Sequence, residues 1–226
     1  MTDVPPTAAL ADALVRLTRP VRCAPATLAP LFPTPPLMGP AVPVTHLGSV
    51  DVILESIDAA PEGGVLVVDN GARTDESCVG DLVVLEAKQA GLAAVIIWGL
   101  HRDTAQLRDI GLPVFSTGAM PLGPTRVPSG GDPMRSATLG GVRVMPGDMV
   151  AADDDGVLVL AHDEVDQVVA LARDIAEIEA RQAARMRGGE SLRSQLDFDG
   201  YLERRRDDPG YSLREHLASG AGAIET

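Results

Sequence analysis

Lysine is nearly absent from this 226-residue chain: of its 19 basic residues, 18 are Arg and Lys88 alone is Lys. A mechanism that needs a Schiff-base lysine therefore has one candidate. Aromatic residues are as scarce, with one Trp, two Tyr and three Phe, and 32 acidic residues leave a formal net charge of −13. That balance argues against nucleic-acid binding, because phosphate recognition rests on a basic surface and base stacking on aromatic platforms. Cys23 and Cys78 are too few for a disulfide framework, and no C-x-x-C pair offers a zinc-ribbon or thioredoxin-like signal. A reducing cytoplasm is the simpler expectation. No apolar run approaches ~18 residues, and the first ten residues lack the basic patch and apolar stretch of a signal peptide. Neither membrane embedding nor export is expected.

What is present is the composition of an ordinary globular chain, 45% apolar and 23% charged, long enough for one domain with an appended tail. Ten of the 18 prolines fall in the first 43 residues, seven of them from Pro25 to Pro43. Proline lacks an N–H and restricts its predecessor, so this stretch predicts extended loop after a short helix at 8–17, wrapped around the domain or a neighbour. From residue 41 short β-type runs follow, at 41–45, 64–68, 93–98, 112–116, 142–145, 149–151 and 156–160. Between the second and third, Val79, Leu82, Val83 and Ala90 mark a helix over 79–90 that Gly91 terminates, and a second helix is expected over 104–110. Strand, helix and strand in about 35 residues make a βαβ unit, so part of the sheet is parallel.

The stretch from 142 to 161 has tight turns at Pro146-Gly147-Asp148 and Asp153-Asp154-Asp155-Gly156, which predict antiparallel hairpins capping the α/β layer. The aspartate string lacks the alternating spacing and distal Glu of a calcium loop and reads as a turn. Val165, Val168, Val169, Leu171, Ala172, Ile175 and Ile178 form the apolar stripe of a helix over 164–186, whose charged latter half leaves the core. In the tail, Arg204-Arg205-Arg206 beside Asp207-Asp208 suits a solvated or subunit-contacting face. The expected organisation is an arm over 1–40, an α/β domain over 41–187 and a charged tail over 188–226.

In an open α/β sheet the productive crevice lies outside the carboxyl ends of parallel strands. Two segments meet that description: 69–81, leading into the 79–90 helix, and Gly99-Leu100-His101-Arg102-Asp103. The first offers backbone N–H groups at a positive helix end, suited to a carboxylate, with Gly80 allowing close approach. The second sets a guanidinium that can grip a carboxylate beside an aspartate that can hold a hard divalent cation.

Asp81, twenty intervening residues and then Arg102-Asp103 resembles the D-x20-R-D signature of the class II pyruvate aldolases that cleave 4-hydroxy-4-methyl-2-oxoglutarate. Gly111-Leu112-Pro113-Val114-Phe115 and the 146–157 segment are similar to the same superfamily, which includes the regulator of ribonuclease activity A. The resemblance implies a phosphohistidine-domain-like (swivelling) fold and trimers or hexamers with sites between subunits. It implies that Asp103 ligates Mg2+ or Mn2+, that Arg102 binds the pyruvyl group, and that Asp81 orients a metal-bound water. The N–H groups of Leu82 and Val83, beside Gly80, would hold the substrate carboxylate. A neighbouring subunit's glutamate would complete the site, with Glu179 the candidate. The implied activity is retro-aldol cleavage of 4-hydroxy-2-oxo acids to pyruvate, with decarboxylation of oxaloacetate through the same enolate; the alternative is a non-catalytic ribonuclease regulator. Lys88, two turns into its helix, is expected to face solvent beside Glu86, which favours the metal route over a Schiff base.

Overall fold

The structure, a computed structural model, describes residues 4–126 and 135–221. Its central feature is an eight-stranded sheet built in chain order from β1 (Arg22–Cys23), β2 (Ala29–Pro30), β3 (Leu37–Thr45), β4 (Val65–Asp69), β6 (Ala94–Trp98), β8 (Val114–Ser116), β12 (Met149–Asp153) and β13 (Gly156–Leu160). Across the sheet the order is β1-β13-β12-β3-β4-β6-β8-β2. Four adjacent strands, β3, β4, β6 and β8, are mutually parallel, and the others join antiparallel. Helices α2 (Asp51–Asp58), α3 (Asp81–Gln89) and α4 (Thr104–Ile110) make the crossovers, so both expected βαβ units are present.

Val65-Leu66-Val67-Val68 of β4 is continuously apolar because both faces of the sheet are covered. Leu66 and Val68 pack with Ile53, Val84 and Leu107 from the helices. Val65 and Val67 point the other way, onto Phe115, Leu139, Val144 and Val159. Leu139 and Val144 come from a separate hairpin, β10 (Ala137–Leu139) and β11 (Val142–Val144). A third cluster joins α1 (Thr7–Arg16) to α5 (Val165–Arg187) through Leu10, Leu14, Val168, Ala172 and Ile175. Each fully buried aliphatic side chain of this kind contributes roughly 1.5–3 kcal/mol.

The structure corrects three expectations. The Pro-rich stretch is irregular as far as residue 36 apart from the two residues of β2, as expected, but β3 starts at Leu37, ahead of the strand expected at 41–45, and so takes in Pro40 as well as Pro43. The strand tolerates them because each half pairs on one side, residues 37–40 with β12 and 41–45 with β4. Ala41 donates its N–H toward the β12 side, to Asp148. Pro43, two residues on, therefore aims its ring nitrogen past the end of β12, where no ladder bond is lost. β3 thus runs across the arm boundary expected at residue 40. Second, Asp153-Asp154-Asp155-Gly156 does close a hairpin, but β12 and β13 extend the main sheet rather than cap it, and Pro146-Gly147-Asp148 links two different sheets. The aspartates act as latches, Asp153 accepting from the Thr7 N–H and hydroxyl and Asp154 from the Thr34 N–H.

Third, the tail is helical, with α6 (Leu192–Gln195), α7 (Phe198–Asp207) and α8 (Leu213–His216) beyond the end of α5. Tyr201, Tyr211 and the fully buried His216 make a small aromatic cluster there. All three arginines of the basic triplet are exposed, and two of them also stack on this cluster, Arg204 over Tyr211 and Arg205 over Tyr201.

Candidate active site

A second, three-stranded sheet lies just beyond the carboxyl ends of the central strands. Its members are β5 (Ser77–Val79), β7 (Leu100–His101) and β9 (Gly118–Ala119), all parallel in the order β5-β7-β9. After β4, β6 and β8 the chain resumes a short extended run before turning away. The ends of these runs deliver the loops that matter: Gly80-Asp81 after β5, Arg102-Asp103 after β7 and Met120-Pro121 after β9. The Arg102 N–H donates to the Val79 carbonyl (3.0 Å) and the Met120 N–H to the His101 carbonyl (2.8 Å). Residues far apart in sequence are thereby fixed side by side.

Gly80 is the N-cap of α3 and provides no side-chain cap. A Cβ there would come within 2.5 Å of Asp103 Oδ2 and 3.0 Å of Arg102 Nε, so the glycine makes room for both side chains. Asp103, at the N-cap of α4, is held left-handed at φ 61, ψ 39 and makes no cap bond to its own helix. An aspartate there usually accepts from its helix's first turn; this one turns away, and its Oδ2 lies 3.4 Å from both the Asp81 N–H nitrogen and Arg102 Nε. A non-glycine left-handed residue carries modest backbone strain and is concentrated at functional sites.

A cleft of about 500 Å3 is lined by Gly48, Ser49, Val50 and Leu54 and by Leu82, Val83 and Glu86 of α3. β5, Gly80, Arg102 and Pro124 complete its lining. Of the residues expected from sequence, Gly80, Leu82, Val83 and Arg102 line this cleft. Asp103 opens beside Arg102 onto a neighbouring depression lined by Thr104, Ala119 and Met120, and Asp81 onto a third with Leu85 and Gln106. Arg102 is the residue common to the first two. The Asp81 carboxylate folds back to accept from the Leu82 N–H at 2.8 Å.

Several nearby residues have structural employment. Lys88 is exposed, as expected, and its amine donates to the Ile110 carbonyl at the end of α4. His101 is buried, with Nδ1 2.7 Å from the Ser116 hydroxyl and Nε2 3.0 Å from that of Thr104; burial pushes its pKa down. Cys78 lines the cleft, but burial pushes its thiol up to about 12, so it is no nucleophile. Trp98 packs into the core, and Glu179 is exposed on α5, away from the cleft of its own chain.

Sequence reasoning missed a buried polar cluster behind the cleft. Glu76 accepts from Arg126 at 3.0 and 3.1 Å, Asn70 Oδ1 pairs with His46 Nδ1 (2.9 Å) and with Arg126 (3.1 Å), and Arg73 approaches Glu76 at 3.5 Å. Arg126 holds the Glu76 carboxyl below its usual range, and burial lowers the pKa of His46. The cluster anchors the 120–126 loop, which the Ser77 N–H and hydroxyl also grip through the Leu122 carbonyl. Gly123 of that loop sits so close to Arg102 that a Cβ would lie 2.6 Å from Nη1. No local signal marks the cluster, whose members come from positions 46 to 126.

Among the described residues no three His, Cys, Asp or Glu side chains converge as a metal cage. Asp103 nevertheless fits a hard divalent cation: it offers carboxylate oxygens that no cap bond consumes, and the missing side chain of Gly80 leaves space beside Oδ2.

A Bacillus cereus protein named as a candidate 4-hydroxy-4-methyl-2-oxoglutarate aldolase is 36% identical over 108 residues, 48% of this chain and 67% of that one. Protein DlpA of Legionella pneumophila is 33% identical over 137 residues, 60% of this chain but 22% of its own length. An uncharacterized Pseudomonas syringae protein superposes with TM-score 0.74 at 26% identity, over 83% of this chain and 90% of that one. Streptomyces coelicolor RraAS2, described as an unusual member of the RNase ES inhibitor RraA family, superposes at 0.67 with 28% identity, over 80% and 92%. The model of the RraA-like family (Aldolase/RraA) matches residues 7–159, the span holding the parallel strands, the small sheet and every residue of the cleft, and the chain belongs to that family.

Proposed function

We propose that the protein is a divalent-metal-dependent lyase that cleaves 4-hydroxy-2-oxo acids by a retro-aldol reaction and releases pyruvate. The observation that carries this reading is the convergence of Arg102 and Asp103 on the side-chain-free face of Gly80, at the N-terminus of α3. Breaking the C3–C4 bond leaves negative charge on the pyruvate enolate, and a positioned guanidinium is a group that stabilises such charge.

Arg102, in the cleft lining, binds the carboxylate and 2-oxo oxygens of the pyruvyl half. The N–H groups of Leu82 and Val83, with the positive end of α3, hold the same carboxylate. Because Asp81 now occupies the Leu82 N–H, an arriving carboxylate displaces it, and substrate binding frees the Asp81 oxygen. Asp81 then takes the proton of the 4-hydroxyl through a water. Asp103 would hold Mg2+ or Mn2+, which when bound supplies Lewis-acid polarisation of the 2-oxo group. Lys88, committed to α4, plays no part.

The same arrangement would decarboxylate oxaloacetate, which passes through the same enolate. The finer expectations of a swivelling-type fold and a trimer or hexamer, with a neighbour's glutamate reaching the cleft, belong to this proposal. Coupled pyruvate-release assays with and without Mg2+ or Mn2+ test it. Metal-stimulated turnover that vanishes in Asp103→Ala is expected; full activity in that variant would overturn the mechanism. The second reading, inhibition of a ribonuclease, is favoured by the description of the Streptomyces neighbour, and a folded protein that turns over no 2-oxo acid would leave it in place.

A further inference from the structure

The Asp103 carboxylate stands on a backbone that does not hold itself. An N-cap residue normally has extended dihedrals and a side chain bonded to its own helix, whereas Asp103 is left-handed and has no such bond. A residue other than glycine persists in that conformation only where the surrounding structure fixes it. The residues on either side of the Arg102-Asp103 step supply the fixing.

His101 ends β7 and Thr104 begins α4, so the two flank that step. The imidazole spans it: Nε2 lies 3.0 Å from the Thr104 hydroxyl, which closes a ring around the strained residue. On its other side Nδ1 lies 2.7 Å from the hydroxyl of Ser116, the last residue of β8. That hydroxyl is itself seated at the step from β8 to β9, 3.3 Å from both the nitrogen and the carbonyl oxygen of Gly118. A neutral imidazole donates from one nitrogen and accepts at the other, and a hydroxyl can serve either role, so both bonds stand at once. His101 is only 3% exposed, and the bonds that hold it are internal to the chain. An aliphatic side chain would fill such a place without burying polar nitrogens, which is costly unless each is bonded. Packing alone therefore does not account for a histidine here.

Resting on the assignment of the divalent cation to Asp103, we propose that His101 is a positioning residue: its bond to Thr104 locks the Asp103 turn to the end of β8 and so holds the carboxylate in the orientation that receives Mg2+ or Mn2+. The ring need touch neither substrate nor cation. It carries the rigidity of the central sheet, through Ser116, to the first residue of α4. Bonds that orient a metal ligand in this way are typically worth about 10- to 100-fold in affinity.

The two ring nitrogens can be tested apart, because a glutamine amide reaches the place of Nε2 and an asparagine amide that of Nδ1. His101→Gln keeps a partner for Thr104 and His101→Asn keeps one for Ser116. Each loses one bond, so the two should lose melting temperature alike. Mn2+ titrations of the metal-free protein, followed by the electron paramagnetic resonance signal of free Mn2+, should show binding weakened about tenfold in His101→Asn and less than about threefold in His101→Gln. Thr104→Val, at a half-buried position, removes the same bond from the other side and should match His101→Asn. Combining those two should weaken binding no further, since substitutions that break one shared contact are not additive. The kcat for pyruvate release at saturating Mn2+ should follow the same order. Equal Mn2+ affinity in the glutamine and asparagine variants, or additive losses in the double variant, would overturn the positioning role and leave the cation at Asp103. Wild-type affinity no greater than that of Asp103→Asn would overturn the cation assignment and this inference with it.

Discussion

Gly80 and Asp103 touch where a side chain on the first would collide with the second: a Cβ at residue 80 would stand 2.5 Å from Asp103 Oδ2. The backbone of Gly80, at φ −130 and ψ −169, is open to any residue, so the requirement for glycine is one of space. Gly80→Ala should therefore leave the melting temperature within a few degrees while pushing Asp103 and Arg102 aside. Displacements of this size at a reacting centre cost about 100-fold, so kcat/KM should fall by that order with circular dichroism unchanged.

Arg102 contributes by geometry as well as charge. Arg102→Ala should reduce kcat by ~100-fold or more, and Arg102→Lys should restore little of it, because an ammonium cannot reproduce two parallel hydrogen bonds to a carboxylate. Near-normal kcat in the lysine variant would show that point charge is enough.

Binding of Mg2+ or Mn2+ at Asp103 should be visible without any substrate. Ligands that bind the folded state raise its stability by mass action, so millimolar Mn2+ should raise the melting temperature of the wild-type protein and not that of Asp103→Asn. Equal shifts in both would place the cation elsewhere.

Glu76 sits behind the cleft as the acceptor for Arg126. Glu76→Gln weakens a charge-assisted interaction at a buried position and should cost about 1–3 kcal/mol in urea denaturation. Since the 120–126 loop abuts Arg102, KM should rise with it. Loss of stability with unchanged KM would separate the cluster from the site.

Acid should destabilise the fold in a window set by two histidines. His46 and His101 both have pKa values lowered from 6.5 in the folded chain, burial being the largest cause in each. The unfolded chain thus takes up protons that the folded one refuses, and stability fully present above pH 6.5 is lost as pH falls from there through the lowered folded-state values. The lowered Glu76 adds a second loss in more acid solution, below its ordinary 4.5. His46→Asn with His101→Asn should flatten the curve between pH 7 and 5, and an undiminished slope would assign the loss to other groups.

The central strands, the helices between them and the Arg102-Asp103 pair were legible in the sequence because each follows from local pattern. Ile96 and Ile97 alternate between two buried faces, and Gly111 ends α4 in the left-handed conformation that it favours. The first half of β3, residues 37–40, was missed because proline's local preference gave no sign that the strand changes partners at residue 40. β5, β7 and β9, two or three residues each, are too short to show periodicity. The Glu76 cluster was hidden for a different reason, since its members are drawn from positions 46 to 126 and meet only in the fold.

The parallel run of β5, β7 and β9 gives the three site loops a common datum. Each loop starts at a strand end hydrogen-bonded to the next, so one extra residue ahead of any of them would slip the ladder and carry its neighbours' side chains out of alignment. Lengths upstream of Gly80, Arg102 and Met120 are therefore interlocked, whereas side chains along Val50, Leu54 and Leu82 hang outside that ladder. Substrate preference can drift among relatives by point substitution on the cleft walls while the spacing between Asp81 and Arg102 stays fixed by the mechanical coupling of three very short strands.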